Sequence, residues 1–204
     1  MFWLAYVVAR GQHQRLPAAD AALHRLQWPR RGALGRLLAT LSSAEMRDVA
    51  RPIVSLLPFP VMKSDIRDVV YLNWLVPCER VAAWLPAPLA LHELDGHTFV
   101  SLLTYNHGDF GPRMLGPLRR LLPSPSQSNW RLYVLPERAG ASRDAIYFFK
   151  TSLSGALHVI ASRRLTDGLP AQLPALLRHE RQGGERGDRW VTDLLPGAGS
   201  APDL

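Results

Sequence analysis

The Asp95-Gly96 pair is the sequence feature that most constrains the fold of this chain. It lies directly between two apolar segments, residues 89–94 and 97–105. A two-residue type I′ turn needs positive φ at both central positions, which Asp and Gly adopt more readily than other residues. The pair therefore predicts a β-hairpin, and with it an antiparallel sheet.

Strand and helix patterns surround this turn in a definite order. Residues 69–76 are rich in β-branched and aromatic side chains and predict a strand. A short helix is expected next, because Pro77 and Glu79 suit a first turn and Pro86 ends the apolar stripe. Alternation in residues 129–134 and 145–151 predicts a strand pair, and the apolar stripe of residues 153–161 predicts a helix. This order predicts an α+β fold with an antiparallel core.

Composition divides the chain into three parts. Residues 1–60 show helical apolar spacing at 18–26 and 34–41, which predicts a helical N-terminal extension. Residues 61–177 are expected to form the main domain, and within it residues 106–128, rich in Gly, Pro and Ser, predict a long loop. Residues 178–204 are mostly Arg, Gly, Glu and Asp, which predicts a flexible tail.

The net charge of +7 is unevenly distributed. Residues 1–60 contribute +5 and residues 61–204 only +2, so the main domain is not expected to bind nucleic acid. The single cysteine, Cys78, excludes an internal disulfide, and the apolar segment at residues 2–9 is too short to span a bilayer. We therefore expect a cytoplasmic protein without a membrane span.

Three kinds of side chain are candidates for chemistry. Lys150 lies on the predicted strand 145–151, where burial would make it a nucleophilic amine, although a strand-end lysine with a solvated ammonium is favoured. His92 and His97 flank the turn, but no third ligand has fixed geometry, so solvated histidines are favoured over a metal site. Cys78 falls in a first helical turn without a neighbouring histidine, which favours a structural cysteine.

Several short motifs, taken in order, resemble one bacterial family. They are residues 71–77 (YLNWLVP), 85–89 (LPAPL), 128–134 (SNWRLYV), 147–149 (YFF) and 163–170 (RRLTDGLP), together with the Asp95-Gly96 turn. The chain resembles the YqjF-like family, also called domain of unknown function 2071 (DUF2071), which is grouped with the acetoacetate decarboxylase-like superfamily. The resemblance covers residues 62–173.

The resemblance implies a fold centred on an antiparallel β-barrel with an internal pocket. In acetoacetate decarboxylase a lysine forms a Schiff base with the keto acid, and a second lysine, a glutamate and an arginine complete the site. Counting without gaps places the arginine at Arg67, the glutamate at Gln127, and the lysine pair at Ala171 and Gln172. Without an amine at that position, Schiff-base decarboxylation has no route. The resemblance implies no cofactor.

The main hypothesis is a decarboxylase-like barrel protein that binds a small acidic metabolite and is not an active decarboxylase. Arginine forks suit carboxylates, amides supply neutral hydrogen bonds, and aromatic rings line such pockets. The expected ligand-binding residues are Arg67, Gln127, Asn129, Arg131, Tyr133, Tyr147 and Arg163, with Trp74 and Phe149 as further apolar walls.

Two alternatives remain beside this hypothesis. The first is a lyase-type enzyme that uses Lys150 as its amine nucleophile. The second is a truncated, inactive gene product with an incomplete barrel, because the family continues with strands where this chain has a Gly/Arg-rich tail. The sequence is compatible with a homo-oligomer and does not decide the oligomeric state.

Overall fold

The computed structural model of the chain describes residues 32–41, 43, 46, 49, 61–87, 89–135, 145–165, 171–183 and 189–195. The helices are α1 (Ala33–Leu41), α2 (Cys78–Val81) and α3 (Ala156–Leu165), and the 3-10 segments are η1 (Ala82–Trp84) and η2 (Arg113–Leu121). The strands are β1 (Met62–Pro77), β2 (His97–Pro112), β3 (Ser126–Val134), β4 (Ala145–Leu153), β5 (Ala171–Gln172), β6 (Leu176–Gln182) and β7 (Arg189–Leu195).

The first five strands form one open sheet in the order β1-β2-β3-β4-β5. Neighbouring strands are antiparallel except for β4 and β5, which are parallel. Strands β6 and β7 form a separate antiparallel pair. The fold is therefore mixed α+β with a mostly antiparallel sheet, as predicted. The barrel is not confirmed, because among the described residues β1 and β5 lie at opposite edges and do not pair.

The Asp95-Gly96 turn is confirmed, but it joins different partners from those expected. Asp95 and Gly96 have φ values of 51° and 75°, and Leu94 and His97 exchange backbone hydrogen bonds of 2.8 and 3.0 Å. Residues 89–94 contribute only isolated bridges, of Leu91 with Val134 and of Leu94 with His97. The long partner of β2 is instead β1, whose last residue, Pro77, lies opposite His97.

The predicted loop at residues 106–128 is mostly ordered structure. Strand β2 continues to Pro112, η2 follows, and β3 begins at Ser126. The glycines that suggested a loop permit close packing: a Cβ on Gly108 would lie 3.1 Å from Arg67 Nε. A Cβ on Gly111 would lie 2.7 Å from Leu122 Cδ1, so no larger residue fits there without movement.

Two small apolar clusters form the core. Val81 of α2 packs with Val100, Leu132 and Phe149 of the sheet. Cross-strand partners share a face, and Val100 lies opposite Leu132, so this cluster marks one face of β2 and β3. Val159 of α3 packs with Leu153 and Ala171 in the second cluster. Helical structure is thus present near both predicted places, at residues 78–84 and 156–165, although Leu153 is the last residue of β4.

The N-terminal and C-terminal segments differ in what the structure describes. Helix α1 agrees with the predicted spacing at residues 34–41, whereas the helix expected at 18–26 lies outside the described residues. Strand β7 and most of β6 lie within residues 178–204, for which composition predicted a flexible tail. Among the described residues, no helix is long and apolar enough to cross a bilayer.

His179 of β6 connects the β6–β7 pair to the first strand. Its Nε2 donates to the Asp68 carbonyl at 2.6 Å, and its Nδ1 accepts from Thr192 Oγ1 at 2.7 Å. Asp68 has a φ of 58° at a bulge in β1, and Asn106 Nδ2 donates to its carboxylate at 3.0 Å. Polar tertiary contacts rather than apolar burial therefore order a segment that has few apolar residues. This is why composition alone predicted a flexible tail.

Replacing His179 by Leu is expected to lower the free energy of unfolding by about 1–3 kcal/mol, because the Asp68 carbonyl loses its donor. Thr192→Val is the matched control, since it removes only the partner of Nδ1 and is expected to cost about 1 kcal/mol. Urea unfolding followed by tryptophan fluorescence measures both values. Equal stability of the His179→Leu variant and the parent chain would show that this contact does not hold the strand pair.

Candidate functional site

One face of β3 carries a row of polar side chains. Gln127, Asn129, Arg131 and Tyr133 alternate with Ser128, Trp130, Leu132 and Val134. Because side chains in a strand alternate between faces, the first four share one face, and Leu132 on the other joins the apolar core. Four of the predicted ligand-binding residues are therefore brought together by the alternation of one strand.

A chain of hydrogen bonds crosses the sheet through the first two of these residues. His107 of β2 bonds through Nδ1 to Ser64 Oγ of β1 and through Nε2 to Gln127 Oε1, both at 2.7 Å. Gln127 Nε2 then donates to Asn129 Oδ1 at 2.8 Å. Gln127 and Asn129 are each only 3% exposed, so the chain is enclosed.

Asn129 is the branch point of this chain. Its Nδ2 donates to the Tyr105 hydroxyl at 3.2 Å, and its Oδ1 also accepts from Thr151 Oγ1 at 3.1 Å. Thr151 lies opposite Ala171 of β5 in the register. The chain thus joins four strands, β1 to β4, and ends beside the fifth.

Hydrogen bonding and burial together indicate a neutral His107. Gln127 Oε1 can only accept, so Nε2 of His107 carries a proton. A second proton on Nδ1 would make the imidazole cationic, which burial disfavours, so Nδ1 accepts from the Ser64 hydroxyl. Burial lowers the pKa of His107, and the nearby His158 lowers it further, while the bond to Gln127 raises it in part.

A second cluster lies on the same face of β3, two residues further along the strand. The guanidinium of Arg131 lies 4.6 Å from the centre of the Tyr71 ring, and the hydroxyl groups of Tyr71 and Tyr133 are hydrogen-bonded to each other. The Nε of Arg131 is buried without a hydrogen-bond partner. This atom is closed to solvent, so an added acceptor could meet only the outer nitrogens of the guanidinium, and Arg131 as a whole is half-buried.

The two tyrosines differ in acidity. Burial raises the pKa of Tyr71, but hydrogen bonds from Tyr133 and Ser101 and the positive charge of Arg131 outweigh it, and the pKa falls below its usual value. Burial and the bond to Tyr71 raise the pKa of Tyr133. Their two hydroxyl groups share one hydrogen bond in which either oxygen can be the donor.

The other predicted ligand-binding residues lie elsewhere. Arg67 is exposed on β1 over Gly108, and Tyr147 lies opposite Leu132, in contact with the apolar core. Arg163 of α3 donates from Nη1 to the Ala171 carbonyl at 2.9 Å. Trp74 is exposed on β1, and Phe149 belongs to the core. The polar face of β3 thus gathers part of the predicted set.

Lys150 lies on β4 opposite Trp130 and is 8% exposed. Burial lowers the pKa of its amine, so it is not the solvated strand-end lysine that the sequence favoured. Arg67 lies in register with Asn106 and, through it, with Ser126. Ser126 and Trp130 are four residues apart, roughly 13 Å along β3, so the amine does not share a site with that arginine.

The remaining candidates do not form reactive sites. His97 Nδ1 is bonded to the Asp95 carbonyl at 2.8 Å, and within the described residues no group of three or more His, Cys, Asp or Glu is placed to hold a metal ion. Burial and the neighbouring Glu93 carboxylate raise the pKa of Cys78. This favours an unreactive thiol, as the absence of a neighbouring histidine suggested.

Sequence reasoning missed His107, Ser64, Tyr105 and Thr151 as parts of the site. His107 fell inside the predicted loop at 106–128, although it continues the alternation of the strand that precedes it. Ser64 and Thr151 are unremarkable in sequence and gain significance only from strand pairing. The extended alternation through Tyr105 and His107 was the one signal that pointed to them.

The protein is therefore a mixed α+β protein with a hydrogen-bonded polar row on one face of its central strand. A family model for DUF2071, described as an uncharacterized conserved protein, matches residues 63–189, which is more than half of the chain. The chain belongs to the DUF2071 family. No curated protein and no solved structure matches it.

The lowered pKa of His107 makes stability depend on pH. As pH falls below about 6.5, the unfolded chain takes up a proton on this residue that the folded chain does not, so stability falls. We expect a loss of up to about 1.4 kcal/mol per pH unit until the folded pKa is reached.

Urea unfolding between pH 7.5 and 5.5 measures this slope, and His107→Gln is expected to reduce it. His158→Gln is the matched comparison, because burial lowers the pKa of His158 as well and both residues contribute with the same sign. An unchanged slope in both variants would contradict the assignment of neutral, buried imidazoles.

Proposed function

We propose that the chain binds a small acidic metabolite, a carboxylate, at the polar face of β3. The observation that carries this proposal is the position of Arg131, a half-buried arginine on the polar face of β3. Its planar guanidinium rests on the Tyr71 ring, which restricts its orientation, and a carboxylate would meet its outer nitrogens.

The surroundings of Arg131 suit a carboxylate ligand. Tyr133 shares its face of β3, and the edge of its ring contacts Phe99 at 6.4 Å between centroids, which provides an apolar wall. Asn129 lies two residues away on the same face, and its amide oxygen and nitrogen are held by Gln127, Thr151 and Tyr105. We infer that these amides act mainly by keeping the strand and the neighbouring arginine in place.

We further propose that the protein is related to the acetoacetate decarboxylase-like superfamily but has lost its Schiff-base chemistry. The open sheet would then be part of a barrel. The arrangement of Ala171 and Gln127 supports this relation. Ala171 lies opposite Thr151, and Thr151 bonds Asn129, which in turn accepts from Gln127. The side chains of Thr151 and Asn129 thus connect Ala171 and Gln127, the positions that the resemblance assigns to the lysine and the glutamate. Neither holds an amine or an acid, so no iminium forms there.

Thermal shift against a panel of monocarboxylic, dicarboxylic and keto acids tests the binding proposal. A ligand at one hundred times its Kd is expected to stabilise the parent chain by about 2.7 kcal/mol. Arg131→Gln should abolish the shift, and Arg131→Lys should restore only part of it, because an ammonium lacks the planar fork.

Arg80→Gln is the matched control, since Arg80 is an exposed arginine on α2, which packs on the opposite face of β3 from Arg131. Its shift should equal that of the parent chain. A folded parent chain that no acid stabilises, or an Arg131→Gln variant that responds like the parent, would overturn the proposal.

A second candidate function is a lyase-type reaction at Lys150. Its support is the burial of the amine, which lowers its pKa and raises the share of neutral amine that attacks a ketone. Its weakness is that Lys150 lies far along the sheet from Arg67, the predicted anion-binding arginine on β1.

Borohydride trapping with pyruvate or acetoacetate, read by intact mass, separates the two candidates. The binding proposal expects no covalent adduct. An adduct that forms in the parent chain and disappears in Lys150→Met would replace the binding proposal by the enzymatic one. Lys63→Met is the control, because this lysine lies at the start of β1.

A further inference from the structure

Segment η2 exposes large apolar side chains to solvent. Met114, Leu118 and Leu121, here called the η2 patch, are 87%, 61% and 81% exposed. The segment turns at Gly116, which has a φ of 51° and so permits a kink between its two halves. Clusters of exposed apolar side chains that are bordered by charged residues often mark interaction surfaces.

A basic cleft of about 430 Å³ lies against the same segment. Its volume falls within the range of ligand pockets. Gly116 and Pro117 are the uncharged residues that line the cleft, and no aromatic side chain lines it. The charged residues around it are four cations and two carboxylates, a net charge of +2: Lys63, Arg113, Arg119 and Arg120, with Asp65 and Asp109.

Arg119 places a fixed positive charge in this cleft. It is 8% exposed, and its guanidinium donates to the carbonyl groups of Gly116 at 3.1 Å, Lys63 at 3.2 Å and Asp109 at 2.5 Å. All three acceptors are neutral, so they orient the group without cancelling its charge. The Asp109 carboxylate lies 3.6 Å from Arg120 instead, in an exposed pair that contributes little.

The same contacts hold η2 in place. Arg113 N donates to the Val61 carbonyl at 2.7 Å, and Leu122 packs closely over Gly111. Arg119 joins the end of η2 to β1 and β2 through the Lys63 and Asp109 carbonyls. The η2 patch is therefore presented on an anchored segment, beside a cleft that favours anions.

We propose that the η2 patch and the basic cleft form a docking surface for an anionic phospholipid membrane. The apolar side chains enter the boundary between headgroups and acyl chains, and a headgroup phosphate enters the cleft beside Arg119. Charge complementarity selects this partner, since a net charge of +2 matches a phosphate-bearing surface. A free phosphate would fill the cleft but leave the η2 patch in water. This surface is separate from Arg131 and adds membrane attachment to the proposed ligand binding.

Flotation of the full chain with vesicles tests the proposal. The parent chain should float with phosphatidylcholine vesicles that contain one-quarter phosphatidylglycerol, and not with phosphatidylcholine alone. Arg113→Gln/Arg120→Gln should lower partitioning by about 30-fold, and Leu118→Ser/Leu121→Ser by about tenfold or more. These four side chains are all exposed, so circular dichroism and thermal unfolding should match the parent chain.

Matched controls locate the effect at η2. Leu157→Ser replaces a leucine that is 71% exposed on α3, and Arg80→Gln removes an exposed arginine on α2; both should float like the parent chain. Arg131→Gln should also float normally, which separates this result from that of the carboxylate assay. Because every variant keeps the basic N-terminal segment, a loss in the η2 variants alone cannot arise from that segment.

Three results would overturn the proposal. The first is an absence of flotation, or equal flotation with both kinds of vesicle. The second is a cleft that binds inorganic phosphate saturably in a chain that does not float, which would identify a free phosphate ligand. The third is a parent chain that does not float but forms an oligomer. If size-exclusion chromatography shows that Leu118→Ser/Leu121→Ser dissociates this oligomer, the η2 patch is a protein interface.

Discussion

The enclosed amides of β3 impose the strictest physical requirement in this molecule. A buried amide or imidazole without partners is unfavourable by about 1–3 kcal/mol for each unsatisfied group, so Gln127, Asn129 and His107 must be satisfied together or not buried at all. A chain of hydrogen bonds meets that requirement across neighbouring strands. It runs from Ser64 to His107, then to Gln127, and from Gln127 to Asn129. A shift of register by one residue would separate these partners and reverse the faces of each strand. The polar row therefore specifies the pairing of β1 to β4.

The two faces of β3 have different roles that follow from this arrangement. One face buries Leu132 and its apolar neighbours against α2, and the other holds the polar row with Arg131 and Tyr133 beyond it. The enclosed end of the row is hydrogen-bonded from His107 to Asn129, whereas Arg131 and Tyr133 at the other end are half-buried. The carboxylate site proposed above would lie at this half-buried end, next to side chains that are held in place.

Sequence patterns predicted the local elements well and their partners poorly. The Asp95-Gly96 turn, the strand at residues 129–134 and the helix beginning near residue 153 followed from short-range chemistry. The loop expected at 106–128 was wrong over β2 and η2, because Gly108 and Gly111 were taken as breakers when they serve close packing against Arg67 and Leu122. Of the predicted site, Gln127, Asn129, Arg131 and Tyr133 share a face because strand periodicity is local. Arg67, Tyr147 and Arg163 do not join them, because their places depend on pairing and on the path of α3.

By itself, the sequence determined the type I′ turn, the alternation of β3 and the membership of Lys150 in a strand, since each depends on residues within a few positions of one another. Tertiary structure decided that the sheet is open in the part of the chain described, that His107 joins the polar row, and that His179 orders the last strand pair. It also decided that Arg119 lies buried among backbone carbonyls. These features join residues far apart in the chain, and the energy of such contacts depends on distances and burial that no local pattern encodes.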